Sequence, residues 1–243
     1  VSKYMVRTSM PIHLITDYFS IFIGVQIYFL MSKKETKVGE EKKYWYLLGA
    51  ALGALVGSRL LAALEDPYLF LHPPTWLYYY LNKTIIGGVA GGIIGIEITK
   101  KILGIKGNTG DTVVVPLMVA IIIGRIGCQL TGVTDGTIGS MCDYAWCFKQ
   151  GDAFNRHPIP LYEIIELALL LPLFYHWIQT KRFRDGFVFR LFIVVYFASR
   201  FFFEFLKDTQ PIVIGLSAIQ VICLLFVFYY TFDSIKHSLY KKP

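Results

Sequence analysis

Charged side chains are scarce in this sequence. Asp, Glu, Lys and Arg make up 17% of its 243 residues, whereas a soluble domain has about 25%. Hydrophobic residues make up 55%, against about 45–50% in soluble domains. Such a chain has no room for a sizeable soluble domain and is predicted to be a polytopic membrane protein. The net charge of +7 then indicates basic cytoplasmic loops, and no nucleic-acid partner is expected.

Cysteine and histidine are also rare, with four and five residues. Neither a metal site nor a cofactor is predicted, because the histidines are scattered without the spacing of metal ligands: His13, His72, His157, His176 and His237. Two cysteines, Cys142 and Cys147, lie close together in MCDYAWC. A disulfide and two free buried thiols are equally compatible with this segment.

Long apolar runs are abundant. Seven of them, each roughly long enough to cross a hydrocarbon core, are predicted to be transmembrane helices: residues 12–31, 44–64, 84–99, 112–133, 159–178, 187–206 and 212–232. No soluble linker separates them, so the predicted fold is all-α, with residues 1–243 forming a single transmembrane domain. The longest polar connection is the loop at about 134–158.

Basic residues are distributed unevenly between these segments. Fourteen of the 24 Lys and Arg residues lie in four alternate connections, at 32–43, 100–111, 179–186 and 233–243. Six lie in the N-terminal segment and the other connections. Because cytoplasmic loops carry the excess of Lys and Arg, this distribution predicts an external N-terminus, a cytoplasmic C-terminus and an exterior position for the loop at 134–158.

Under this orientation, most ionisable residues inside the predicted spans lie near the outer leaflet. A charge in mid-membrane costs at least about 2.5–3.5 kcal/mol, so several at one depth predict a shared polar cavity. Snorkelling to the headgroups explains Arg59 taken alone equally well. Arg125 and Arg200 are less easily explained, and arginine carries a fixed fork of donors that matches a phosphate group. These residues predict an outer-leaflet site for an anionic lipid.

Arg125 and Arg200 lie in two of three motifs, which are GRIG at 124–127, RHPIPLYE at 156–163 and YFASRFFFEFLK at 196–207. Their order and spacing resemble the prolipoprotein diacylglyceryl transferase family, over about residues 12–232. The resemblance implies seven spans and a multi-pass enzyme of the bacterial cytoplasmic (inner) membrane. It also implies transfer of a diacylglyceryl group from phosphatidylglycerol, or a similar anionic phospholipid, to the lipobox cysteine thiol of a preprolipoprotein, with release of glycerol phosphate.

The resemblance also assigns roles to individual residues. Arg125 and Arg200 match arginines held to bind the lipid phosphate, Tyr196 matches a functional tyrosine, and His157 belongs to the R-H-P element, so these four are predicted to be catalytic. Eight further residues are predicted to bind substrate: Tyr18, Arg59, Thr131, Gly136, Arg156, Tyr162, Glu163 and Glu204. For Glu163 a structural role, tying the start of its helix to Arg156 or Arg125, is the alternative.

The sequence departs from the family pattern at several positions. Ile86 stands where typical members have the histidine of an H-G-G triplet, and Cys128 and Thr131 replace the asparagine pair of the main motif. Val133 replaces a glutamate. Because Gly87 and Gly88 remain, position 86 is expected to border a polar cavity that has lost its proton acceptor.

These departures leave the proton acceptor and the reaction partner open. The remaining candidates for taking the thiol proton are His157, Glu204, Asp135 and the substrate phosphate itself. Two alternatives to lipoprotein modification also stay open. One is a transferase that uses the same lipid donor with a different acceptor, and the other is a non-catalytic membrane protein that binds anionic lipid.

Overall fold

The chain folds mainly into α-helices. The computed structural model describes residues 10–33, 40–73, 82–105, 110–209, 211–212 and 214–236. The helices in these ranges are α1 (Met10–Ser32), α2 (Glu40–Glu65), α3 (Pro67–Leu71), α4 (Ile85–Ile102), α5 (Asp111–Thr131), α6 (Ile159–Thr180), α7 (Phe187–Glu204) and α8 (Ala218–Lys236). A 3₁₀ turn, Gly132–Asp135, follows α5, and two short antiparallel strands, β1 (Phe148–Lys149) and β2 (Asn155–Arg156), precede α6.

Long helices occupy all seven predicted ranges, and the part of the chain described here contains five that are long and apolar enough to cross a membrane. These five are α1, α2, α5, α6 and α8. An all-α polytopic membrane architecture is therefore confirmed. The other two, α4 and α7, have 18 residues each and carry three charged residues each. Their crossing of the membrane, and the orientation of the chain, stay predictions.

Glycines allow α2 and α4 to pack backbone against backbone. A Cβ atom added at Gly53, Gly57 or Gly91 would overlap backbone atoms of the facing helix. Their four-residue spacing matches the small-residue interfaces by which helices associate in lipid, where van der Waals contact replaces the hydrophobic effect. Gly87 also approaches α2 closely, because a Cβ there would overlap the Gly57 carbonyl oxygen. A Cβ atom added at Gly88 would lie 3.7 Å from the nearest atom, the Cβ of Ser58.

The expectation that position 86 borders a polar cavity is wrong. Ile86 is 1% exposed and belongs to the apolar core formed with side chains of α5, α6, α7 and α8. Among its members are Met118, Phe174, Phe192 and Phe197. The error came from treating the two glycines as the lining of a site, whereas Gly87 serves the packing of α4 on α2. An apolar side chain at position 86 is what this environment requires.

The loop between α5 and α6 is fixed to the ends of three helices. The Val133 N–H donates to the Gln150 carbonyl oxygen at 2.9 Å, and the Gly139 N–H donates to the His157 carbonyl oxygen at 2.9 Å. The Ser140 N–H donates to the carbonyl oxygen of Leu206, just after α7, at 2.7 Å. The loop therefore closes over the ends of α5, α6 and α7, which brings the three sequence motifs together.

We expect Gly91→Ala to destabilise the protein, because its Cβ would overlap the Gly53 backbone. Overpacking of this kind costs about 1–3 kcal/mol. Gly88→Ala is the matched control on the same helix, since the open space there accepts a methyl group. The measurement is the midpoint of thermal unfolding in detergent, and equal midpoints for the two variants would contradict the packing described.

Candidate functional site

One buried carboxylate joins the two arginines that the sequence singles out. Arg125, on α5, donates from Nε to Glu163 Oε2 at 2.8 Å. Arg200, on α7, donates from Nη1 to Glu163 Oε1 at 2.7 Å. Glu163, on α6, is 0% exposed. The alternative that Glu163 ties the start of its helix to Arg125 is confirmed, and the same carboxylate also holds Arg200.

A second carboxylate continues the network toward the end of α7. Arg200 Nη2 donates to Glu204 Oε2 at 2.8 Å, and Lys207 Nζ donates to the same oxygen at 3.2 Å. Burial lowers the pKa of the Lys207 ammonium and the nearby Arg200 lowers it further, whereas Glu204 raises it. We name the residues Arg125, Glu163, Arg200, Glu204 and Lys207 the charge network.

Helical spacing explains why α7 contributes so much of this network. Tyr196, Arg200 and Glu204 follow one another at intervals of four, so they lie on one face of the helix. All three are buried. The Tyr196 hydroxyl donates to Glu163 Oε2 at 3.4 Å, and its ring stacks on Phe192 with centroids 5.8 Å apart. Tyr196 thus marks the boundary between the charge network and the apolar core.

The charge network carries a formal charge of one positive unit, because three cations face two carboxylates. Removing ions from water is costly, and buried pairs hold only where the remaining polar atoms are also satisfied. Within the described residues, Arg200 Nε and Glu204 Oε1 are buried without a hydrogen-bond partner. The network therefore has one donor and one acceptor left for a ligand, and the carboxylates of Glu65 and Glu166 lie close enough to Lys207 and Arg200 to offset its formal charge.

A cavity of about 240 Å³ opens at the Lys207 end of the charge network. Its lining consists of residues from the loop and from the segment after α7: Val133, Gly136, Ile138, Gly139, Arg156, Lys207, Asp208 and Thr209. Arg156 donates from Nε to Asp152 Oδ2 at 2.7 Å. Gly136 adopts φ 74°, a conformation that favours glycine. The cavity presents two basic side chains and one carboxylate to its contents.

His157 is buried, at 9% exposure. The loop covers it: its backbone N–H donates to the Ser140 carbonyl oxygen at 3.1 Å. Its Nδ1 shares a hydrogen bond with the Tyr162 hydroxyl at 3.2 Å and lies 3.8 Å from Cys147 Sγ. Cys142 and Cys147 form a disulfide, which decides between the two possibilities left by the sequence.

Three predicted site residues lie outside the charge network. Tyr18 lies on α1 and is 61% exposed. The Arg59 guanidinium donates from Nη1 to the hydroxyl of its neighbour Ser58 at 3.0 Å. Thr131 Oγ1 donates to the Gly127 carbonyl oxygen at 2.8 Å, within α5. Their part in substrate binding stays a prediction, as it does for Gly136 and the other predicted site residues. The side chain of Asp135 lies outside the described residues.

Sequence reasoning missed the residues that follow α7. Lys207, Asp208 and Thr209 line the cavity, and Lys207 completes the charge network. The signal was present in EFLK at 204–207, because a lysine three residues after a glutamate reaches it on a helix. The scattered histidines also concealed a cluster, since the ligand atoms of Cys142, Cys147 and His157 lie within 4.8 Å of one another.

Comparison with known proteins finds one family. The family model for prolipoprotein diacylglyceryl transferase matches residues 9–232. Three similar proteins carry the name phosphatidylglycerol–prolipoprotein diacylglyceryl transferase. The protein of Idiomarina loihiensis is 28% identical over 68% of this chain and 62% of its own length. The protein of Tolumonas auensis is 31% identical over 65% of this chain and 64% of its own length. The protein of Dehalococcoides mccartyi is 30% identical over 78% of this chain and 76% of its own length.

The aligned part of the chain spans less than two thirds of the Idiomarina and Tolumonas proteins. The family model matches a longer range, residues 9–232, which extends from the start of α1 into α8. The matched range therefore includes all five members of the charge network and the loop that covers them.

We expect Glu163→Gln to destabilise the protein strongly, because it leaves two buried arginines without their shared carboxylate. Removing one partner of a buried pair costs about 3–5 kcal/mol. The control is Glu97→Gln, which removes an exposed carboxylate 2.8 Å from Lys100 and should cost at most about 1 kcal/mol. The measurement is the free energy of unfolding in mixed detergent micelles. Similar losses for the two variants would show that Glu163 does not hold the network together.

Proposed function

The chain belongs to the prolipoprotein diacylglyceryl transferase family, and we propose that it transfers a diacylglyceryl group from phosphatidylglycerol to the lipobox cysteine thiol of a prolipoprotein. The thiol sulfur attacks the glyceryl carbon that bears the phosphate. A carbon–sulfur bond forms, the carbon–oxygen bond to phosphate breaks, and glycerol phosphate leaves. The thiol proton passes to an acceptor.

The three cations of the charge network, with the unpartnered Arg200 Nε among their donors, are the observation that carries this proposal. A phosphodiester has one negative charge, and the phosphate monoester that leaves has close to two at neutral pH. Preorganised cations in a site that excludes water stabilise charge that grows during a reaction. Arg125, Arg200 and Lys207 would therefore favour the departing phosphate over the bound lipid, which is what a catalyst of this reaction requires.

Glu163 keeps the two arginines in fixed positions instead of competing for them with the lipid. Its two oxygens take one nitrogen from each guanidinium, and each guanidinium has five N–H donors. Donors therefore remain, among them the buried Arg200 Nε. In this proposal Arg125 and Arg200 act on the phosphate as oriented donors, while Tyr196 orients Glu163.

The cavity beside Lys207 is the proposed position of the headgroup. It has the volume of about eight water molecules at roughly 30 Å³ each, which is enough for a phosphate with part of a glycerol. Lys207 belongs both to its lining and to the charge network, so a phosphate held there would lie next to the cations of that network. Arg156 and the backbone around Gly136 would bind the outer part of the headgroup.

His157 is the proposed acceptor of the thiol proton, since an imidazole can take a proton at neutral pH. Its Nδ1 hydrogen-bonds with the hydroxyl of Tyr162, the residue before Glu163 in the chain, which supports this assignment. Ile86 cannot take this role, because an alkyl side chain has no basic atom and lies in the apolar core. His157→Gln should lower the rate without removing the charge network.

The proposed setting is the outer leaflet of a bacterial cytoplasmic membrane. Residues 1–243 would form one transmembrane domain with seven spans, an external N-terminus and an external loop at 134–158. Support comes from the excess of Lys and Arg in the alternate connections. Phosphatidylglycerol would enter from the lipid, and the prolipoprotein would bring its lipobox cysteine to the same leaflet.

Labelled phosphatidylglycerol provides the direct test. Purified protein in mixed micelles is incubated with this lipid, with and without a lipobox peptide, and with a peptide in which serine replaces the lipobox cysteine. Release of glycerol phosphate and formation of a lipidated peptide only with the cysteine peptide support the proposal. Release without any peptide indicates a different acceptor. Lipid binding without release, under conditions where a known family member is active, would contradict a catalytic role.

We expect Arg125→Lys to reduce kcat/KM by about 100- to 1,000-fold, the loss seen when one preorganised donor is removed. Lysine keeps the charge but loses the fork of guanidinium donors. Arg59→Lys is the control, because the Arg59 guanidinium hydrogen-bonds to its neighbour Ser58 and snorkelling explains its position. Both variants are compared after their thermal midpoints are shown to match wild type. Equal losses at Arg125 and Arg59 would contradict the proposed role of Arg125.

A further inference from the structure

A second cluster of reactive side chains lies in the loop, outside the charge network. Cys142 and Cys147 belong to the MCDYAWC segment, and His157 lies at the start of the second motif, RHPIPLYE. Their ligand atoms lie within 4.8 Å of one another. Cys147 and His157 are buried, at 7% and 9% exposure. The stacked rings of Tyr144 and Trp146 lie over this part of the loop, and the Tyr144 ring centroid is 6.2 Å from that of His157.

We propose that this cluster is a redox-controlled zinc site. In the oxidised protein the two cysteines form the disulfide. In the reduced protein their two thiolates and the His157 imidazole bind one Zn²⁺ ion, with water in the fourth position. The disulfide and the zinc-bound dithiol are then two alternative cross-links of the same loop.

The geometry fits a tetrahedral zinc site once reduction lets the two sulfur atoms move apart. Zinc–sulfur bonds of about 2.3 Å and zinc–nitrogen bonds of about 2.0–2.1 Å place the sulfur and nitrogen atoms roughly 3.6 Å apart. Cys147 Sγ and His157 Nδ1 are 3.8 Å apart. The Cα atoms of the two cysteines are 6.1 Å apart, and the four residues between them fall within the C-x₂₋₄-C spacing of zinc sites.

The charge of the site also favours zinc over other occupants. Two thiolates and one dipositive ion sum to zero, and a neutral imidazole adds no charge. A site with no net charge avoids the penalty of burying an isolated ion. Zinc accepts sulfur and nitrogen ligands together, whereas magnesium and calcium prefer oxygen.

The two states interconvert by a two-electron reduction followed by zinc binding. A dithiol or phosphine reductant gives two electrons to the Cys142–Cys147 disulfide, and the sulfur–sulfur bond breaks as two protons are taken up. The reductant is oxidised to its disulfide or phosphine oxide. Zinc binding then releases the two thiol protons. The hydrogen bond between His157 Nδ1 and Tyr162 is lost if Nδ1 binds the metal.

The test uses the purified full-length chain in detergent, oxidised or reduced with a phosphine. Zinc is measured per chain after gel filtration, and Co²⁺ is added in place of zinc to detect thiolate-to-cobalt absorption bands. We expect one zinc ion and the cobalt bands in the reduced protein, and neither in the oxidised protein. Cys142→Ser and His157→Gln should both lose stoichiometric binding, whereas the matched controls Cys223→Ala and His176→Gln should keep it.

Three results would overturn the proposal: no zinc in the reduced wild-type protein, equal binding in the oxidised protein, or undiminished binding in His157→Gln. If a variant does not fold, the comparison of oxidised with reduced wild-type protein still decides the matter. The readout is metal content and a spectrum, so the outcome is independent of transferase activity.

Discussion

The carboxylate of Glu163 is the interaction on which the rest of the site depends. It bridges Arg125 and Arg200, and those arginines come from helices on either side of it. Without it, two guanidinium groups would face each other in an environment of low polarity. With it, α5, α6 and α7 are held at one level, and Glu204 and Lys207 can extend the same chain of charges to the cavity.

The apolar core and the charge network divide α7 between them. Its first turns place Val188, Phe192 and Ile193 in the core, and its last turns place Arg200 and Glu204 in the network. At the opposite end, the Asp111 carboxylate accepts from the backbone N–H groups of Gly186 and Phe189, where the helix dipole favours a negative charge. Both ends of α7 are thus fixed by electrostatic contacts, and its middle is held by packing.

The sequence allowed the helices and the polar cluster to be predicted, because a lipid environment leaves few ways to accommodate apolar runs and charged residues. Pairing was harder to foresee. Arg125 was expected to bind a phosphate, with a tie to Glu163 as the alternative. It holds Glu163, because a buried arginine needs a fixed counter-charge, and its phosphate role stays a prediction. Ile86 was misplaced for a different reason: Gly87 signals close packing as readily as a ligand site. The cavity beside Lys207 and the burial of His157 depend on how a loop folds over helix ends, and periodicity carries no information about that.

The glycine seam between α2 and α4 has a consequence for how the chain can vary. At Gly53, Gly57 and Gly91 the space that a Cβ would occupy is filled by backbone. Every other amino acid has a Cβ, so these positions have no conservative replacement. A side chain in the apolar core can change if a neighbour changes with it, but no neighbouring substitution can move a peptide bond out of the way. These positions of α2 and α4 therefore have little freedom to diverge, although they contribute no member of the charge network.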